Sequence, residues 1–247
     1  MSTDKLTVGT WNVEYAAGAD RNALRLARLQ QVPADIWVLT ETHDDLDLSE
    51  THVAVSTEQR PTGRAGGRWT TIWSRQKVLA RIEVRDPVRT VAALVQTSMG
   101  PVAVYGTVLP WHSDPGPGEH RAKNWTEQDR VLQIQLAEWR AIRADLGPDV
   151  PLIVAGDLNM SLGGPRYYGT KRGEAALREG LAELGLGCAT EYDRLAPGAL
   201  QHSPIDHIVV PEPWLPRTRI AAAWEGTNEA GRKLSDHSGL VVEVEGL

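Results

Sequence analysis

Short apolar runs recur along the whole chain, and each is bounded by glycine, proline or polar residues. Runs of this length, rich in valine, isoleucine and tryptophan, predict buried or half-buried strands. The predicted strands are residues 6–13, 36–39, 69–73, 78–84, 90–97, 102–109, 151–155, 205–210 and 239–244.

Apolar residues recur every three or four positions in three other segments, and this period predicts helices. The predicted helices are residues 21–31, a long helix from about residue 126, and residues 174–184. We expect the first helix to bury Leu24, Ala27 and Leu29. Thr126 and Asp129 resemble a capping box that would begin the second helix.

The order of these elements predicts the fold class. The strands between residues 69 and 109 follow one another too closely for parallel crossovers, so they should pair antiparallel. Strands and helices mixed in this way fit an α/β (α+β) fold, a four-layer sandwich of two packed mixed or antiparallel β-sheets flanked by helices. No stretch of linker composition divides the 247 residues, so we predict a single domain over residues 1–247.

The net charge of −6 argues against a general nucleic-acid binder, which would need to neutralise phosphates. Local charge can still attract an anion, and two segments are basic. They contain Arg60, Arg64, Arg68 and Arg75, and then Arg166, Lys171, Arg172 and Arg178. Such residues can simply be solvated, but here we take them as candidate walls of a phosphate site. Arg68 and Arg166 are the predicted substrate-binding members.

The single cysteine, Cys188, excludes an internal disulfide. Residues 1–5 lack the pattern of a signal peptide, and no run of eighteen apolar residues predicts a membrane span. We therefore expect a soluble cytoplasmic protein, a monomer without an obligate protein partner.

Polar signatures follow several of the predicted strands. They are residues 10–13, 39–42 and 156–159, and the pair 205–207 and 235–237. Buried charge costs several kcal/mol unless it is paired or binds a metal. Carboxylates and carboxamides that recur at strand ends therefore predict one shared site.

The order of these motifs resembles the endonuclease/exonuclease/phosphatase superfamily of metal-dependent phosphoesterases, over residues 10–244. The resemblance implies that Glu41 is the principal metal ligand and Asp236 a second one. It implies that Asn12 holds the metal ligand or the phosphate. Oxygen ligands of this kind suit Mg²⁺ or Mn²⁺.

The remaining motif residues are predicted to be catalytic. Asp157 and Asn159 are two positions apart, so both project to one side of an extended segment. The resemblance implies that Asp157 orients or activates the attacking water and that Asn159 donates to a phosphoryl oxygen. His237 is the predicted proton acceptor, because imidazole titrates near neutrality, and Asp206 matches the carboxylate that orients it.

One position departs from the family pattern. Val108 stands where many relatives carry histidine, and valine cannot transfer a proton. Either Tyr105 or His112 substitutes on the leaving-group side, or metal-bound water supplies the proton. We therefore include Tyr105 and His112 among the predicted substrate-binding residues.

The predicted function is hydrolysis of a phosphoester bond by in-line attack of a water that the metal or His237 activates. A nuclease or phosphodiesterase, with nucleic acid as a possible partner, is slightly favoured. The alternatives are a small-molecule, inositol or lipid phosphatase and a catalytically silent relative that binds a phosphorylated ligand. Loop aromatic residues could stack on a base or cover a lipid or sugar, namely Trp69, Trp111, Trp125, Tyr167 and Tyr168.

Overall fold

The computed structural model of the chain describes residues 4–116, 124–165 and 167–246. Within these ranges the strands form two six-stranded sheets, with three α-helices outside them. The strands are β1 (Lys5–Asn12), β2 (Ile36–His43), β3 (Val53–Ser56), β4 (Gly67–Ser74), β5 (Val78–Ile82), β6 (Val91–Thr97), β7 (Gly100–Val108), β8 (Leu152–Asp157), β9 (Leu186–Cys188), β10 (Asp206–Pro211), β11 (Thr218–Trp224) and β12 (Gly239–Glu245). The α-helices are α1 (Ala19–Gln31), α2 (Thr126–Leu146) and α3 (Lys171–Glu183).

Each sheet has one parallel pair at its centre and antiparallel strands around it. The first sheet has the order β11-β12-β1-β2-β4-β3, in which β1 and β2 are parallel. The second has the order β5-β6-β7-β8-β10-β9, in which β7 and β8 are parallel. Helix α1 connects β1 to β2, and α2 connects β7 to β8, as parallel crossovers require. The carboxyl ends of these four strands are where a shared site is expected.

The core confirms the predicted four-layer sandwich. Apolar side chains such as Val8 and Val38 of the first sheet meet Val104 and Ile153 of the second in one buried cluster between the sheets. Helix α1 buries Leu29 against the outer face of the first sheet. Helices α2 and α3 cover the outer face of the second sheet. Every strand near the centre is therefore buried on both faces, which explains its almost continuous apolar sequence.

Some local predictions were wrong. Ala27 is exposed, and the fully buried residue of α1 is Arg25, whose guanidinium donates to the carbonyl oxygen of Leu234 at 2.8 Å. The N-cap of α2 is Trp125 in a left-handed conformation, so Thr126 does not form the expected capping box. The strands β3, β9 and β11 were not predicted; each lies at the edge of its sheet, where the apolar pattern is weaker.

None of the helices in the described ranges combines the length and the apolar character that a membrane crossing requires.

Candidate active site

The carboxyl ends of the central parallel strands bring the predicted motifs to one edge of the sandwich. Asn12 ends β1, Glu41 lies near the end of β2, and Asp157 ends β8. Asp206 begins β10 and is directly opposite Asp157 in the antiparallel pair β8–β10. Residues from both sheets therefore meet where the strands end, which is the usual place for a ligand site in such folds.

The loop before β12 places His237 at the same edge. The hydroxyl of Ser235 donates to the backbone carbonyl of Asn12 at 2.6 Å and accepts from the backbone N–H of His237 at 3.1 Å. The indole N–H of Trp11 donates to the carbonyl oxygen of His237 at 3.1 Å. The histidine backbone is thus fixed to β1 before its ring makes any contact.

The imidazole of His237 is held between three carboxylates. Its Nδ1 lies 2.5 Å from Oδ2 of Asp206. Its Nε2 lies 4.0 Å from Oδ2 of Asp157 and 4.0 Å from Oδ1 of Asp236. Asp157 and Asp206 are buried, whereas Asp236 is exposed. A buried carboxylate on one ring nitrogen orients the ring and leaves the other nitrogen facing the cleft.

This arrangement favours the charged form of His237. Burial lowers the pKa of the ring, but the charges of Asp206 and Asp157 and the hydrogen bond to Asp206 outweigh it and raise the pKa to about 10. Without a bound cation, His237 therefore carries a proton at neutral pH.

Asp157 accepts hydrogen bonds from both neighbouring carboxamides. Its Oδ2 lies 3.1 Å from Nδ2 of Asn12 and 3.2 Å from Nδ2 of Asn159, and its Oδ1 accepts from the backbone N–H of Asn159 at 2.8 Å. Burial, with the charges of Asp206 and Glu41, nevertheless raises the pKa of Asp157 to about 7. A carboxyl group at this pKa can exchange a proton near neutrality.

Glu41 occupies the first-sheet side of the site. Burial is the largest cause of its raised pKa, and a hydrogen bond from Asn12 opposes that rise. Asn12 therefore connects Glu41 to Asp157 across the two sheets.

Backbone strain is concentrated around this edge. Five non-glycine residues in the described ranges have positive φ, and four belong to the site or its wall: Glu14 (51°), Tyr15 (48°), Glu41 (48°) and Asn159 (47°). Such conformations cost on the order of 1 kcal/mol or more each and persist where the surrounding structure imposes them. Strand β2 continues to His43, past residue 39 where the predicted strand ended, and Glu41 is the residue at which its pairing with β4 is interrupted.

Gly156 allows the two central strands of the second sheet to approach closely. A Cβ atom there would lie 2.0 Å from the carbonyl oxygen of Thr107, and its φ is 134°. Only glycine fits this position. The backbone conformation that glycine adopts there sets the direction of the chain at Asp157, the last residue of β8.

The donor set fits a hard divalent cation. Ligand atoms of Asp157, Asp206 and His237 lie within 4.8 Å of one another. Oδ1 of Asp206 is buried and has no hydrogen-bond partner among the described residues. Nδ1 of His237 already contacts Asp206, however, so this trio is better suited to proton transfer than to metal ligation. The nearby carboxylates of Glu41 and Asp236 supply the oxygen atoms that Mg²⁺ or Mn²⁺ prefers.

Tyr105 was predicted to contact the substrate, but it does not reach the site. Its side chain is fully buried between β7 and α2, and its hydroxyl donates to Oε2 of Glu138 at 2.5 Å. Alternation along the strand turns this ring to the helical face. Tyr105 is therefore a core residue.

His112 is also turned away from the reacting groups. Its ring packs edge-to-face on Trp125, with 5.2 Å between the ring centroids, and its Nδ1 lies 2.9 Å from the hydroxyl of Ser113. Its backbone N–H faces the hydroxyl of Tyr168 at 3.4 Å. His112 thus supports Tyr168, which lines a 470 Å³ cavity with Asp236 and His237.

Asn159 was predicted to donate to a phosphoryl oxygen, but its amide contacts protein acceptors instead. Besides contacting Asp157, its amide nitrogen donates to the carbonyl oxygen of Leu109 at 2.9 Å. Both amide hydrogens therefore have protein acceptors, and the side chain positions Asp157 instead of offering a free donor to phosphate.

The two basic segments have different outcomes, because Arg60 and Arg64 of the first line a cavity beside Glu41, whereas other predicted members do not. Arg68 donates to the carbonyl oxygen of Thr57 at 2.7 Å and does not line the cleft. Arg166 lies outside the described residues. The other cations of the second segment are paired with carboxylates: Lys171 with Glu174, Arg172 with Asp129, and Arg178 with Glu174 and Glu191. That segment is therefore a neutralised surface.

The sequence indicated no site role for two residues of the cavity walls, Tyr15 and Arg89, and only a stacking role for a third, Tyr168. Tyr168 was considered only as a stacking residue, although burial and the charge of Asp157 both raise its pKa. Tyr15 and Arg89 line a second cavity beside Glu41. Tyr15 follows Asn12 closely, so it could have been suspected; nothing in the sequence around Arg89 marks it.

Comparison with known proteins identifies the fold. The model of the endonuclease/exonuclease/phosphatase family matches residues 9–237. Similar solved structures include truncated TDP2 from Caenorhabditis elegans (TM-score 0.69, 15% identity, 98% of this chain and 97% of that one). A second is the human Nocturnin catalytic domain with bound sulfate anion (TM-score 0.67, 17% identity, 98% of this chain and 93% of that one). A third is the 3'-5' exonuclease NExo from Neisseria meningitidis (TM-score 0.67, 17% identity, 97% of this chain and 99% of that one).

No curated protein sequence matches the chain significantly. At these identities the solved structures establish the fold alone, whereas the family model covers most of the sequence together with its motifs. The chain therefore belongs to the endonuclease/exonuclease/phosphatase family.

Proposed function

We propose that this protein is a metal-dependent phosphoesterase that hydrolyses a phosphodiester by in-line attack of water. The observation that carries the proposal is the geometry of His237, which contacts Asp206 through Nδ1 and presents Nε2 to Asp157 and Asp236. A site that only bound phosphate would need no buried carboxylate to orient a histidine in this way.

We assign the metal to Glu41 and Asp236, with Asn12 holding Glu41 in place. When bound, a divalent cation would neutralise negative charge on the phosphoryl oxygens and cancel part of the field that raises the pKa of His237. Glu41 is half-buried and Asp236 is exposed, so both carboxylates can be reached from the cleft.

The protein's own groups would handle the protons. Asp206 keeps the ring of His237 oriented and compensates its charge. Asp157, held by Asn12 and Asn159, faces Nε2 and would orient the attacking water or take its proton. Tyr168 lies on the wall beside His237, where it can contact the leaving group that Val108 cannot serve. No covalent intermediate with the protein is required.

A panel of substrates tests this proposal. Bis-p-nitrophenyl phosphate, p-nitrophenyl phosphate, plasmid DNA, single-stranded RNA and an inositol phosphate would each be incubated with Mg²⁺, Mn²⁺ or EDTA. We expect EDTA-sensitive hydrolysis, with the diesters ahead of the monoesters. A preference for p-nitrophenyl phosphate or inositol phosphate would favour the phosphatase alternative. Absence of all hydrolysis by folded, metal-loaded protein would favour a silent ligand-binding relative.

A further inference from the structure

A cavity of about 590 Å³ opens beside Glu41 and shares no lining residue with the cavity that contains His237. Its wall combines three arginines with three aromatic side chains. The residues that matter below are Tyr15, Arg64, Trp69, Arg89 and Trp111.

Three arginines line this cavity in a protein whose net charge is −6, and Glu41 is the single acid among the lining residues. Arg60 pairs with the carboxylate of Asp44 at 2.6 Å, whereas Arg64 and Arg89 contact aromatic rings of the wall. Arg64 is exposed and forms no ion pair with a described carboxylate; its guanidinium lies 3.9 Å from the ring centre of Tyr15. A cation held in this way is available to an anionic group.

The guanidinium of Arg89 is held more firmly than that of Arg64. Its guanidinium pairs with the buried carboxylate of Asp114 at 2.7 Å and lies 5.6 Å and 6.0 Å from the ring centres of Trp69 and Trp111. The ion pair and the indole rings together hold the group at one point of the wall, which is the preorganisation that ligand binding needs.

The two indoles form an aromatic platform. Trp69 and Trp111 are stacked, with centroids 6.0 Å apart and planes inclined by 28°. Trp111 keeps 37% of its surface exposed, although large aromatic side chains usually gain from burial. The hydroxyl of Tyr15 is buried and has no hydrogen-bond partner within the described residues. An exposed indole, the unpaired guanidinium of Arg64 and an unpaired hydroxyl on one wall indicate a ligand that is flat, apolar and anionic.

We propose that this cavity binds a nucleotide, with the base stacked on the Trp69–Trp111 platform and a phosphate on Arg64 and Arg89. This inference rests on the proposed function, which places the reacting phosphoester beside Glu41. The binding of the nucleotide itself uses none of the catalytic residues. Sugar phosphates and inositol phosphates carry no aromatic ring and would leave the platform uncovered. The preferred substrate is therefore a nucleotide diester or a nucleic-acid end.

Calorimetric titration in EDTA tests the inference without catalysis. The probes are adenosine 5′-monophosphate, ribose 5-phosphate, which lacks the base, and adenosine, which lacks the phosphate. We expect the nucleotide to bind at least about tenfold more tightly than either fragment, since stacking and a charge-assisted contact each contribute about that factor. Equal affinity for the nucleotide and ribose 5-phosphate, or no binding of the nucleotide, would overturn the proposal.

Substitutions of two exposed residues test whether the ligand binds in this cavity. Trp111→Ala should weaken binding of the nucleotide about tenfold and leave ribose 5-phosphate unchanged, whereas Arg64→Gln should weaken both phosphates and leave adenosine unchanged. The matched control is Arg219→Gln, which removes an arginine that pairs with Glu243 on the far sheet edge. If the control weakens binding as much as Arg64→Gln, the cavity is not the site.

Two measurements, hydrolysis and nucleotide binding, distinguish a failure of this inference from a failure of the proposed function. The kcat for bis-p-nitrophenyl phosphate with Mg²⁺ reports the catalytic site, because binding of its rings on the indole platform would change KM and leave kcat unchanged. Nucleotide binding without hydrolysis of that diester would contradict the proposed function and support the cavity. Hydrolysis without nucleotide binding would contradict the cavity and support the proposed function.

Discussion

The two sides of the cleft are built in different ways. On the side of Asp157 and Asp206, the functional groups are buried at strand ends and held by short hydrogen bonds. On the other side, Arg64 and Trp111 are exposed, and most of the wall residues come from loops. Each set matches the physical demand on it, because proton transfer needs fixed distances and a low-dielectric surrounding, whereas ligand entry needs open surface.

Because the two sides are built differently, substitutions on them should have different kinetic effects. Changes among the buried carboxylates should lower kcat, because they alter groups that act on the reacting atoms. Changes on the exposed wall should raise KM, because they remove binding that the ground state and the transition state share.

Asp157→Asn should lower kcat by about 100-fold or more, because it removes the charge that faces His237 and that both neighbouring carboxamides support. Steady-state kinetics on bis-p-nitrophenyl phosphate measures the effect, and thermal unfolding verifies the fold. Asp149→Asn, at an exposed position before β8, is the matched control. An Asp157→Asn protein that retained full kcat would remove this carboxylate from the chemistry.

Glu41→Gln should raise the Mg²⁺ concentration for half-maximal activity by about tenfold or more, because an amide oxygen is a weaker ligand than a carboxylate. The measurement is a metal titration of activity together with calorimetric binding of Mn²⁺. Glu50→Gln, at an exposed turn, provides the comparison. Unchanged titrations would show that the cation binds elsewhere.

The stability of the metal-free protein should fall as the pH rises from about 6.5 to about 10. The folded state raises the pKa of His237 from 6.5 to about 10, so its stabilising contribution is complete below the unfolded pKa and is lost as pH rises through the folded one. Each unit of that rise corresponds to about 1.4 kcal/mol of the free energy of unfolding.

Urea unfolding in EDTA at several pH values measures this dependence. His237→Gln should flatten it in the same range, and the difference between the two proteins isolates the histidine from other titrating groups. Identical pH dependence in both proteins would mean that the charged ring is not stabilised by Asp206 and Asp157.

Arg172→Gln should have the smallest effect. Its guanidinium pairs with Asp129 on an exposed surface, and such pairs contribute at most about 1 kcal/mol. We expect kcat, KM and nucleotide affinity to change by less than about twofold. A large rise in KM would restore the second basic segment as a phosphate-binding wall.

The sequence predicts the layers of this fold well, because central strands buried on both faces carry uninterrupted apolar runs. It also predicts which polar residues gather at the strand ends, since Asn12, Glu41, Asp157 and Asp206 each interrupt or end such a run. Edge strands such as β3 carry weaker patterns and are missed.

The walls of the cleft are harder to predict, because they depend on where loops fold back. Tyr105 lies on β7 and Arg68 on β4, and alternation along each strand turns these side chains away from the cleft. Arg89 has no motif around it and reaches the cavity through its ion pair with Asp114. Such a contact joins distant parts of the chain and leaves no periodic signal.

If the buried side of the cleft performs the hydrolysis, loss of the His237 ring must slow the reaction. The measurement is the rate of hydrolysis of bis-p-nitrophenyl phosphate by His237→Ala at saturating Mg²⁺, with His52→Ala, at a histidine that lines a separate cavity, as the control. We expect a loss of about 100- to 10,000-fold for His237→Ala in a folded protein, and a nearly unchanged rate for His52→Ala. An unchanged rate for His237→Ala would contradict the assignment of catalysis to the buried side.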